Sequence, residues 1–191
     1  MQNFISADWI FPVTSNPIQN GVLEVDSEGR IIQVLSSEGA KRKAIQNIKY
    51  YEGALVPGFI NTHCHLELSH LKAVIGEQTG LPSFIKQILA QRQQPDEIIV
   101  TAMQKADEEM YANGIVAVGD IANLLISKST KQNSKIYYHT FVELFGFNRP
   151  SAPIIAAGLQ LKEDYLPLKA SIVPHAPYSV SSTLFNEIKN I

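Results

Sequence analysis

Cysteine is almost absent: Cys64 is the only one in 191 residues, which excludes an internal disulfide and fits a reducing compartment. An excess of charge of either sign is missing too. The chain has 16 Lys and Arg against 18 Asp and Glu, a formal charge of -2. No basic arm or stripe stands out, so the electrostatic footprint of a nucleic-acid or membrane-surface binder is lacking. No apolar run approaches the roughly 18 residues of a membrane span. The opening stretch MQNFISADWIFP has no basic start and carries Asp8 inside its apolar part, unlike a signal peptide. A cytoplasmic protein that contacts neither nucleic acid nor membrane is expected. There is no internal repeat and no low-complexity tract. What the chain does have is 45% hydrophobic residues, enough for a sizeable core.

From Met1 to about Tyr51 the pattern is strand-rich. FISADWIF is followed by VLEVDSEGRIIQVL, two alternating apolar runs interrupted from Asp26 to Gly29. The polar turn with Gly29 able to take positive φ predicts a hairpin. Tyr50 to Leu55 is expected to lead out of this region, with a domain boundary between Glu52 and Gly53 (1–52 and 53–191). Beyond it strands and helices alternate. LPSFIKQILAQRQ repeats Phe84, Ile85, Ile88 and Leu89 at helical spacing, with Pro82 in the first turn. A second helix is expected after Pro95, with Asp96 and Glu97 at its positive end and a stop at Asn113-Gly114. GIVAVGDIAN, KIYYHTFVELFGF and LKASIVPHAP read as strands. LLISKSTKQN and APIIAAGLQLKEDYL read as helices between them, and SSTLFNEIKNI opens a last helix that Ser181 or Ser182 could cap. This alternation predicts an α/β fold with parallel strands and crossover helices.

The chemistry concentrates between Ala54 and His70, ALVPGFINTHCHLELSH. Side chains in a strand alternate faces, so His63 and His65 project to one side and Cys64 to the other. The two imidazoles can therefore share one ion. Neutral imidazole suits zinc, and also iron or nickel, but two histidines are short of the four ligands of a closed zinc site.

VPGFINTHCH resembles the first barrel strand of the amidohydrolase superfamily, in which a Pro-Gly entry and a short apolar strand end in the first two metal ligands. The likeness is nearest to the cytosine deaminase and chlorohydrolase-like branch. It implies a partial TIM-type (β/α) barrel, its first four strand-helix units, preceded by the amino-terminal part of a small β-sandwich. It also implies one divalent metal ion, zinc or alternatively iron, held here by His63 and His65. The ion would activate water for hydrolytic deamination of an amino-substituted heterocycle of nucleobase or nucleoside type. Hydrolysis of another C–N bond or of a C–Cl bond is the alternative within the family. From another class, the chain could be a non-catalytic metal or ligand binder.

VPHAPYSVS resembles the family's block at the end of the fourth strand, which makes His175 a substrate contact. In branches with other metal centres a histidine here is a ligand, and a histidine hydrogen-bonded in a Pro-flanked turn is the structural alternative. Glu67, two residues past His65, is a candidate substrate contact or acceptor for a ligand N–H, or else a solvated carboxylate. Glu143 and Asp120 stand at strand ends as candidate substrate contacts. His70 reads as surface or lid, and His139 as structural. The resemblance also implies further ligands on the fifth and eighth strands and proton-transfer groups, none of which can be placed here, since no histidine follows His175. The catalytic groups are thus expected outside this chain, which alone should be inactive. It should associate with a missing carboxyl-terminal half or with itself as a homo-oligomer.

Overall fold

The computed structural model describes residues 3–191. Contacts divide the chain into two compact units, between Pro57 and Gly58. The first is a five-stranded sheet. Its central strand β1 (Asn3–Ile10) pairs antiparallel with β2 (Ile18–Gln19) and β3 (Val22–Val25), and parallel with β5 (Ile48–Leu55). The expected hairpin joins β3 to β4 (Ile31–Leu35), with Val22 opposite Leu35. Asp26 closes its turn by accepting the N–H groups of Glu28 at 2.8 Å and Arg30 at 2.9 Å, while Gly29 takes φ +82. Helix α1 (Ser37–Arg42) was not foreseen in the strand pattern. Ser36 caps it, its hydroxyl accepting the Gly39 N–H at 3.1 Å, and Ala40 anchors it in the core.

The second unit is built on four parallel strands in sequential order: β6 (Phe59–Cys64), β7 (Ile115–Ala122), β8 (Tyr137–Leu144) and β9 (Lys169–Pro174). The crossovers are α2 (Leu81–Gln91) and α3 (Asp96–Ala112), then α4 (Lys128–Asn133), then α5 (Ser151–Asp164), with α6 (Ser182–Lys189) after β9. Parallel strands need such helices to return to their starting end. Strand alternation decides the core. Along β8, Tyr138, Thr140, Val142 and Leu144 are buried, while Tyr137, His139, Phe141 and Glu143 on the opposite face are more open.

Two apolar clusters fill the buried side. Leu66, Ile99, Met103, Val118, Ile136 and Tyr138 form one. Val142, Leu144, Tyr165, Val180, Leu184 and Ile188 are the main members of the other. Helix ends follow the expected chemistry: Gly114 takes φ +83 after α3, and Ser181 caps α6 through the Leu184 N–H at 3.1 Å. Two further elements differ from expectation. The polar stretch after the histidines forms a 3-10 turn over Leu66–Leu71, because Leu66 and Leu71 are drawn into the core. Helix α2 has the expected span but no buried residue, and Leu89 is 63% exposed. No described helix is long and apolar enough to cross a membrane.

Candidate active site

His63 is the next-to-last residue of β6 and His65 follows its last residue, at the carboxyl end. The register of β6 on β7 shifts between Asn61 and Cys64, the local signature of a bulge, which re-aims side chains. The two rings nevertheless come together, with centroids 5.1 Å apart and planes at 66°. His63 is exposed and His65 half-buried. Desolvation holds the His65 pKa below its ordinary value; the charge of Glu143 opposes this, whereas His63 and His175 reinforce it. The neutral ring, the form that ligates metals, is therefore favoured.

Glu143 and His175 thus belong to the surroundings of His65. Glu143 stands one residue from the end of β8, and its backbone oxygen accepts from the Asn123 side-chain amide at 2.8 Å. His175 follows β9; its backbone N–H donates to the Leu144 oxygen at 2.9 Å, and its Nδ1 is paired with the Ser179 hydroxyl. Phe145 and Tyr178 approach its ring edge-on, with centroids 6.3 and 5.8 Å away. Beside Glu143 a cavity of about 480 Å³ opens between the ends of β7 and β8 and helix α5, lined by Asn123, Leu125, Phe145 and Arg149 among others.

Glu67 is placed differently. Only 5% exposed, it accepts the Asn123 N–H on both carboxylate oxygens at 3.3 Å and lies 4.0 Å from Arg92. Burial raises its pKa, Asn123 opposes this, and Asp120 adds to it. It ties the turn after β6 to the loop after β7. Asp120 points away from the strand-end mouth, into the core, where Lys131 meets it at 2.6 Å. Cys64 packs against the Leu66 cluster, and burial, helped by Asp120, pushes its thiol up to about 12. His139 contacts Ser171 and Phe141. His70 is half-buried, with both ring nitrogens shielded from water.

Sequence reasoning missed Lys131, which reads as one cation among several in a polar helix. It also missed Phe145 and Tyr178, whose nearness to a strand-end histidine was an available signal.

The donor set fits a divalent ion in part: two adjacent imidazoles could supply two ligands. Among the described residues no group of three or more His, Cys, Asp or Glu side chains is arranged around one ion.

No family model matches the chain. An adenosine deaminase of Helicobacter pylori is 28% identical over 141 residues, which cover 71% of this chain and 34% of that protein. The crystal structure of H. pylori aminofutalosine deaminase with methylthio-coformycin superposes with a TM-score of 0.80 at 24% identity, covering 95% of this chain and 46% of the other. An adenosine deaminase from Xanthomonas campestris with bound zinc gives 0.76 at 18% identity, covering 98% and 46%. All three of these proteins are deaminases. The structural likeness establishes the fold, a mixed α/β arrangement matching the amino-terminal half of their barrels. The chain spans less than half the length of the curated relatives it matches.

Proposed function

We propose that this chain forms the amino-terminal part of a metal-dependent hydrolase of the amidohydrolase superfamily, in its cytosine deaminase and chlorohydrolase-like branch. The reaction is removal of an exocyclic amino group from a heterocycle of nucleobase or nucleoside type. The observation that carries this is the pairing of the His63 and His65 rings at a strand's carboxyl end, within the field of Glu143 and His175. Deaminases among the relatives, and bound zinc in one of them, support it.

His63 and His65 supply two ligands to a divalent ion, zinc by the relatives' example and the chemistry of imidazole. The ion supplies Lewis acidity for the activation of water. With Nδ1 engaged by Ser179, His175 offers Nε2 to the substrate's ring or leaving group. Phe145 and Tyr178 give an aromatic wall beside it, and Glu143 accepts hydrogen bonds from an amino-substituted ring. Residues 3–57 we assign to the amino-terminal part of a small β-sandwich.

The test is to isolate the protein from its source through an amino-terminal tag, so that whatever completes the barrel is retained. Zinc-dependent release of ammonia from 6-aminopurine nucleosides, abolished by His63→Ala, is expected. Chloride release from a chlorotriazine without any ammonia release from aminoheterocycles would overturn deamination.

A further inference from the structure

Behind the histidine pair lies a charged device that the proposed chemistry does not use. Asp120 and Lys131 have fully buried side chains and meet at 2.6 Å. The other Asp120 oxygen accepts the backbone N–H of Leu66, the residue directly after His65, at 2.7 Å. Lys131 also donates to the Thr140 hydroxyl at 2.9 Å, and its ammonium lies 4.8 Å from the Tyr165 ring centre and 5.9 Å from that of Tyr138. The aromatic rings are themselves fixed: Tyr165 donates to the Leu124 oxygen at 2.6 Å, and Tyr138 to Asp107 at 2.7 Å. One cluster therefore joins β7, β8, α4 and the exit of β6.

Two features separate this cluster from ordinary core packing. A fully buried ion pair loses so much solvation that apolar residues of similar volume often serve stability as well or better. In addition, the single backbone group that Asp120 holds belongs to the bulged turn presenting the histidines, where a slip of one residue would send a ring to the other face. We propose that Asp120, clamped by Lys131, is a positioning residue: by fixing the Leu66 N–H it holds the His63 and His65 rings in the arrangement that lets both reach one ion. This rests on the reading of those histidines as ligands, and the test separates the two.

The probe is copper(II)–iminodiacetate, which leaves open sites that two suitably placed imidazoles fill together; its affinity for the full chain is read by electron paramagnetic resonance. Wild type should bind at least about tenfold tighter than His63→Ala. Two double variants, Asp120→Asn with Lys131→Met and Asp120→Leu with Lys131→Met, remove both buried charges at similar volume. Only the first keeps an acceptor for Leu66. The Asn form should bind within about threefold of wild type, and the Leu form about 10- to 100-fold weaker, the usual cost of losing a group that orients a ligand. Leu66 amide exchange should accelerate in the Leu form alone. Equal affinities in the two doubles, with wild type still exceeding His63→Ala, would overturn the Asp120 assignment and leave the ligand reading intact. Wild type binding no better than His63→Ala would overturn the ligand reading itself, and the positioning role with it. A Leu form with a lower melting temperature but unchanged copper affinity would show Asp120 to be structural only.

Discussion

The Lys131 side chain is fully buried. Burial pulls its pKa down, and the charge of Asp120 opposes that pull. Removing one partner leaves the other as an uncompensated buried charge, which costs about 3–5 kcal/mol. Lys131→Met alone should therefore lower unfolding free energy by about that amount in urea titration, and adding Asp120→Asn should recover most of it. Additive losses would mean that the two charges do not interact. The pair also marks the limit of what is legible in the residues. His63 and His65 are recoverable from sequence because their relation is local, two residues apart at the end of an apolar strand. Asp120 and Lys131 form a relation that exists only after α4 folds back on β7, and at the level of composition Lys131 is one more surface cation. Glu67 misleads for the same reason: its spacing suggests the histidines' side, yet the turn after them carries it down to the Asn123 N–H.

At the scale of elements, two close approaches decide which substitutions are tolerated. A Cβ on Gly119 in β7 would lie 2.9 Å from the Thr62 carbonyl oxygen and 2.9 Å from a Phe141 ring carbon. The carbonyl belongs to the neighbouring strand and cannot rotate away. Gly119→Ala should cost about 1–3 kcal/mol by overpacking, measured by denaturant unfolding, and an unchanged midpoint would sink this reading. In the first unit the half-buried Asp8 of β1 accepts the Tyr50 hydroxyl and the Gly53 N–H of β5. Tyr50 and then Gly53 hold the Asp8 pKa below its ordinary 3.8. The same bond raises Tyr50 above 10.0.

The acid's contribution is thus present above pH 3.8 and fades as pH falls through its depressed folded value. The phenol's contribution is complete below pH 10.0 and fades as pH rises through its raised folded value. Asp8→Asn should flatten both limbs of the stability profile relative to wild type, read by thermal unfolding across pH. Identical profiles would rule the bond out as a source of pH dependence. Among elements, the strands other than the two-residue β2, and α3, α5 and α6, are legible from periodicity and end signals. α1 is missed because its run SEGAKR has only Ala40 to bury, and its one clear signal is the Ser36 cap.

For the whole molecule the open question is what covers the parallel sheet. Its outer strands are β6 and β9, and an uncovered strand offers a row of unpaired backbone groups to another chain. Apolar side chains of the sheet stay open to water: Phe59 and Ile60 of the outer strand β6 are 57% and 66% exposed, and Tyr137 at the start of β8 is 59% exposed. Surfaces of this kind mark contacts with something else. The proposed metal site has the same incompleteness, with two imidazoles where a catalytic zinc needs three protein ligands and an open position. Both arguments predict the behaviour of the 191-residue chain purified without further sequence or partner. Light scattering should give a mass above that of one 21.1 kDa chain. Zinc should wash out on desalting, and 6-aminopurine nucleosides should release no ammonia. A monodisperse monomer that keeps stoichiometric zinc and deaminates such a nucleoside would show that four strands suffice, and that the missing ligands come from side chains among those described.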